Sequence, residues 1–212
     1  MATLIGQPIS RIDGPHKVSG RANYAAEYWN AGQPLYGFIV GATIGRGHVA
    51  AIDTNEADQA PGVRMVMTHR NAPAQGTPDL SSLWIYSRAY PTLVGSEVHH
   101  FGEPVALVVA DTWEQARAAA RLVRVTYVEE PGRFDFAAHL DQAYAPKTVN
   151  AGLPTDSAVG DFEPAFARAE VRIDQHYTTP YQSAQPMEPH ACLAVPNGQG
   201  LTLYVSCQIV AE

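Results

Sequence analysis

Pro104-Val105-Ala106-Leu107-Val108-Val109-Ala110, then Asp111-Thr112-Trp113-Glu114, then Val123-Arg124-Val125-Thr126-Tyr127: this stretch decides the fold. The first part is a continuous apolar run, the pattern of a strand covered on both faces. Asp111 with Glu114 three residues later has the spacing of a capping box, with Asp in the Ser/Thr place. Beyond it Trp113, Ala116, Ala120 and Val123 form one helical stripe, while Arg117, Arg121 and Arg124 read as a solvated face. Val123, Val125 and Tyr127 then alternate with Arg124 and Thr126, so the helix hands over to a half-exposed strand. Strand, helix and strand at this spacing predict a compact α/β unit.

Upstream, Leu35–Val40, Val49–Ile52 and Val63–Met67 are strand candidates. Between the last two, residues 54–60 read as a short helix, with Thr54 placed to cap it and Pro61-Gly62 to stop it. Residues 69 to about 97 are irregular and read as a surface excursion. The expected organisation is therefore an extended leading segment over 1–34 and a mixed α/β (α+β) domain over 35–131. A linker over 132–160 follows, with one short helix at Asp135–Ala143, and the start of a further domain over 161–212. In that last part Gly160-Asp161 opens a helix through Phe166, and Val171–Tyr177 reads as a strand.

The 212 residues are 46% hydrophobic and 17% charged, enough for a packed core and against disorder. A net charge of −7 with scattered basic residues excludes a phosphate-tracking surface and so argues against nucleic acid. No apolar run approaches the ~20 residues of a bilayer span. Met1–Ile12 lacks the layout of a secretory signal, so the expected location is the cytoplasm. No Gly-x-Ser-x-Gly elbow is present, and Gly95, Gly102 and Gly160 do not form a phosphate-cradling loop.

Near the end, Cys192–Val195 and Leu201–Val205 flank Pro196-Asn197-Gly198-Gln199-Gly200, a hairpin signal because Asn and Gly tolerate positive φ. If the hairpin closes about residues 198 and 199, Cys192 faces Val205 and Cys207 faces His190. The two thiols then do not pair, and both are read as reduced.

Six landmarks run in order: Arg11-Ile12-Asp13-Gly14, Lys17–Tyr24, Ala60–Val66, Gly102-Glu103-Pro104-Val105-Ala106, Gly160-Asp161 and Met187-Glu188-Pro189; after the last, the hairpin leaves through Ser206-Cys207-Gln208. Together they resemble the molybdenum hydroxylases, the xanthine dehydrogenase and aldehyde oxidase family. The resemblance covers nearly the whole chain. It implies the N-terminal part of the large molybdopterin-binding subunit: a hammerhead α/β domain and then the first hairpin of the cofactor-binding domain.

That resemblance also implies chemistry: oxidation of aldehydes or aromatic N-heterocycles with water as the oxygen source. The cofactor would be molybdenum–molybdopterin, with the cytosine dinucleotide form left open. Iron–sulfur clusters and FAD would sit on partner subunits or domains. By the family motif the Gln208 side-chain amide donates a hydrogen bond to an oxygen ligand of molybdenum, a task for a neutral donor that does not titrate. The alternative is an ordinary polar residue at a strand end. Cys207 stands where the family usually has threonine, and Ala184 where it often has histidine.

The family's remaining cofactor loops and its catalytic glutamate lie downstream, so no catalytic residue and no metal ligand is assigned here. Glu188 reads as a structural residue and His190 as a packing or hydrogen-bonding one. His99-His100 with Glu103 invites a zinc assignment. Neighbouring residues on an extended chain face opposite ways, and no second ligand cluster joins them. A second function class stays open: a non-catalytic α/β scaffold or interaction module. The resemblance implies that this stretch alone is inactive.

Overall fold

A computed structural model describes residues 5–28, 32–75, 91–149, 152–186, 188–198 and 200–207. The chain divides into two compact units, residues 34–173 and residues 1–33 together with 174–212.

The leading segment is less extended than its turn-rich sequence suggests. Its first turn runs into the helix α1 (Gly14–Val18), which has a proline at its start. Proline suits that place because its preset φ is helical and its missing N–H would be unsatisfied anyway. Lys17 Nζ reaches Asp13 Oδ2 at 2.6 Å and holds the Asp13 carboxyl below its ordinary pKa. A single 3-10 turn follows at Ala25–Glu27, where Tyr24 N–H donates to Glu27 Oε2 at 2.9 Å.

Residues 34–173 hold β1 (Tyr36–Gly41), β2 (Gly47–Asp53), α2 (Asn55–Asp58), β3 (Val63–Thr68), β4 (Glu97–Val98) and β5 (Pro104–Ala110). They continue with α3 (Trp113–Ala120) and β6 (Arg124–Glu129). Two antiparallel sheets result, ordered β1-β5-β3 and β4-β2-β6. The continuous apolar run is thus the central strand of its sheet, with Ala106, Val108 and Ala110 fully buried. Helix α3 presents Ala116 and Ala119, also fully buried, and these short side chains let it pack against β1 and β5. The strand–helix–strand reading holds, but β5 and β6 lie in different sheets.

Local details refine the prediction. The cap of α3 sits one residue later than the spacing suggests. Thr112 Oγ1 accepts Gln115 N–H at 3.2 Å, and Gln115 Oε1 accepts Thr112 N–H at 3.1 Å. Asp111 is taken up elsewhere, by the fork of Arg64 at 2.7 and 3.0 Å. Thr54 does not cap α2 either: its hydroxyl donates to Asp58, and Asp53 Oδ1 accepts the Asn55 N–H. Gly47 is a required glycine, since its φ is +142° and a Cβ there would collide with the Val128 carbonyl.

After β6 come a 3-10 helix at Ala137–Gln142 and a minimal pair, β7 (Thr148–Val149) with β8 (Leu153–Pro154), which the sequence did not signal. Next is α4 (Phe162–Arg168). The strand expected at Val171–Tyr177 does not form. Val171, Ile173 and Tyr177 are exposed, and with no partner strand among the described residues and no buried face, alternation alone does not hold a strand.

The chain closes on the hairpin β9 (Cys192–Asn197) and β10 (Gly200–Val205). Asn197 pairs with Gly200, and Gly198 between them has φ +69°. Asn197 itself ends β9 and sends its side-chain amide to Thr202 Oγ1 at 2.8 Å. Cys192 stands opposite Val205, the register expected. No described helix is long and apolar enough to cross a membrane.

Candidate functional site

Gln208, the one residue assigned toward a cofactor, lies outside the described residues, as does Met187. What the structure shows is how the chain is brought up to that point. Ser206 locks the exit of β10 onto the stretch that leads into β9. Its hydroxyl donates to the Pro189 carbonyl at 3.1 Å and accepts the Ala191 N–H at 3.4 Å. Glu188 Oε1 accepts the Ala25 N–H at 3.2 Å, across 163 residues of sequence. Tyr28 stacks on Tyr204 with centroids 4.3 Å apart and planes at 19°. Leading segment and hairpin therefore form one unit, and Glu188 serves there as a structural acceptor.

The hairpin has two unlike faces. Leu193, Val195, Thr202 and Tyr204 are half-buried. Leu201, Leu203 and Val205 point the other way and are 57%, 53% and 48% exposed, alongside Cys192, Ala194 and Pro196.

In the other unit, the turn before β5 fixes His99. Glu103 accepts the His99 backbone N–H, and its Oε1 lies 3.2 Å from His99 Nδ1. Glu97 Oε2 is 3.5 Å from His99 Nε2. Partial burial alone would raise the Glu103 pKa, but the hydrogen bonds from His99 prevail and lower it below 4.5. His100 turns to the Phe101 carbonyl instead, so the two histidines do not converge. Among the described residues no group of three His, Cys, Asp or Glu side chains is placed to hold a metal.

Comparison with known proteins gives this arrangement its context. Residues 19–131 match the family described as aldehyde oxidase and xanthine dehydrogenase, a/b hammerhead domain. Residues 143–212 match the molybdopterin cofactor-binding domain. The chain is 44% identical over 209 residues to the aldehyde oxidoreductase molybdenum-binding subunit PaoC of Escherichia coli K12, covering 98% of this chain and 27% of that one. It is 33% identical over 210 residues to the 6-hydroxypseudooxynicotine dehydrogenase complex subunit gamma of Paenarthrobacter nicotinovorans, covering 95% and 26%.

Among solved structures, the aldehyde oxidoreductase of Desulfovibrio gigas aligns with TM-score 0.51 and 27% identity over 76% of this chain and 19% of that one. Quinoline 2-oxidoreductase of Pseudomonas putida 86 aligns with TM-score 0.55 and 25% identity over 79% and 22%. This chain belongs to the aldehyde oxidase and xanthine dehydrogenase family of molybdenum enzymes. It spans about a quarter of the length of the curated relatives it matches.

Proposed function

We propose that these residues are the N-terminal portion of the molybdenum-binding subunit of a hydroxylase that oxidises aldehydes, with water as the oxygen source. The observation that carries the substrate class is the gradient of similarity. Identity is 44% to an aldehyde oxidoreductase subunit of Escherichia coli K12, against 29% to the putative xanthine dehydrogenase subunit XdhA of the same organism. Aromatic N-heterocycles are the second substrate class, favoured by the 25% identity and TM-score of 0.55 to quinoline 2-oxidoreductase.

In this reading residues 35–131 are the hammerhead scaffold, 132–160 the linker, and 161–212 the opening of the molybdopterin domain. Ser206, Glu188 and the Tyr28–Tyr204 stack set the hairpin that delivers Gln208. The donor set fits the group at one position: the Ser206 hydroxyl is committed to Pro189 and Ala191, which leaves the amide of Gln208 as the neutral donor after the hairpin. Gln208 would hold the cofactor by a neutral hydrogen bond. Molybdenum–molybdopterin, in the plain or cytosine dinucleotide form, would supply the two-electron oxidation when bound. Iron–sulfur and FAD partner subunits would carry the electrons away, in the cytoplasm.

Steady-state kinetics on the complete subunit, purified with its companion subunits, test the reading. Aldehydes should show kcat/KM at least about tenfold above N-heterocycles, a difference of about 1.4 kcal/mol in transition-state binding. A preference for xanthine or quinoline would reverse the substrate class. Absence of both activities in a molybdenum-loaded complex would leave the scaffold alternative standing.

A further inference from the structure

One end of the β4-β2-β6 sheet borders a half-open cavity of about 600 Å³, within the range of small-molecule sites. Its walls come from three separated stretches, residues 45–48, 96–99 and 130–134. The charges around it are not equally committed. Glu130 is met by Arg46 at 3.4 Å, and Glu97 by the His99 ring at 3.5 Å. Arg133 is held by a neutral group, Gln142 Oε1 at 2.9 Å, and among the described residues it pairs with no carboxylate. That single bond orients the guanidinium and leaves its other N–H groups available, the arrangement that suits a planar carboxylate.

Beside it, Phe134 supplies a flat apolar surface. The tip of its ring occupies the space a Cβ would need at either Gly45 or Gly132, so two glycines make its seat. Phe134 as a whole is 69% exposed. A tethered aromatic with an open face next to an uncompensated cation is a two-point recognition element.

We propose that this cavity binds a small organic monocarboxylate with a flat apolar body, its carboxylate on Arg133 and its body on Phe134. With Glu130 paired to Arg46, Glu97 on the rim repels a phosphate dianion more strongly than a monoanion, so a single negative charge suits Arg133 better. His48 and His99 line the same cavity and serve as reporters. The proposal stands apart from the aldehyde-oxidising reading, because it uses residues 45–48, 96–99 and 130–134 and needs no cofactor.

The test is a titration of the 212-residue chain with benzoate, followed by NMR of the His48, His99 and Phe134 ring resonances. Benzoate should shift them with a Kd on the order of 1 mM. Neutral benzamide, ringless acetate and inorganic phosphate should each act at least about tenfold more weakly. Arg133→Gln should weaken benzoate by about tenfold, and Phe134→Ala should remove its advantage over acetate. Equal shifts by benzamide and benzoate, tighter binding of phosphate, or no shift up to about 10 mM would each overturn the proposal, whether or not the variants fold.

Discussion

Glu188 shows how a single side chain acquires its role from a distant partner. A glutamate beside a proline in a molybdenum enzyme invites a catalytic reading, yet its Oε1 accepts the Ala25 N–H at 3.2 Å. Glu188→Ala should therefore lower stability by about 1 kcal/mol, and Glu188→Gln, which keeps an acceptor, by less. Urea unfolding of the chain checks this; equal losses for both variants would show that the negative charge, not the acceptor, matters.

Glu103 makes a pH-dependent contribution. Its pKa is lowered below 4.5 on folding, so the stabilisation is present above that value and disappears as pH falls through the lowered one. The thermal midpoint should drop more steeply than in Glu103→Gln as pH falls from 4.5 through the lowered value. Parallel profiles would contradict the assignment. At Gln208, in the complete enzyme, replacement by Ala should cost about 10- to 10³-fold in turnover with molybdenum still bound. Wild-type turnover in a fully loaded Gln208→Ala enzyme would make it an ordinary strand-end residue.

Among the elements, α3 separates what is local from what is not. Its place after a buried strand was legible, and so were Ala116, Ala120 and Val123 of its stripe, because both depend on neighbouring residues; Trp113, read on the same stripe, is 43% exposed. The cap was read at Asp111–Glu114 and stands at Thr112–Gln115, because Asp111 is claimed by Arg64, 47 residues away. Thr112→Ala should cost about 1 kcal/mol of stability, while Glu114→Ala should cost almost nothing. Denaturant midpoints of the two variants decide between the registers. The hairpin register was legible because Gly198 fixes the turn and the pairing follows outward to Cys192 and Val205. Val171–Tyr177 alternates as a strand would, but no described residue pairs with it, and β7 and β8 are too short to leave a pattern.

For the whole molecule, the family was legible through the order of its landmarks, since each motif alone is short and unspecific. Gln208 was assigned through resemblance alone, because a polar residue at a strand end has no signature of its own, and it lies outside the described residues. The cavity left no sequence signal: its walls join residues 45–48, 96–99 and 130–134, which only the fold brings together. Burial predicts the distribution of stability. Amide exchange should be slow across Val105–Ala110, at the centre of its sheet, and fast across 192–206, where one hairpin face is exposed. Uniformly slow exchange in both regions would contradict that distribution.

The central proposal is that these residues belong to the molybdenum-binding subunit of an enzyme that places oxygen from water onto its substrate. The direct measurement is turnover of an aromatic aldehyde by the complete, molybdenum-loaded complex in ¹⁸O-labelled water. One label per carboxylic acid molecule formed is the predicted result, after correction for exchange of the aldehyde oxygen. Oxygen derived from labelled O₂, or acid formation that persists in complex prepared without molybdenum, would contradict the account.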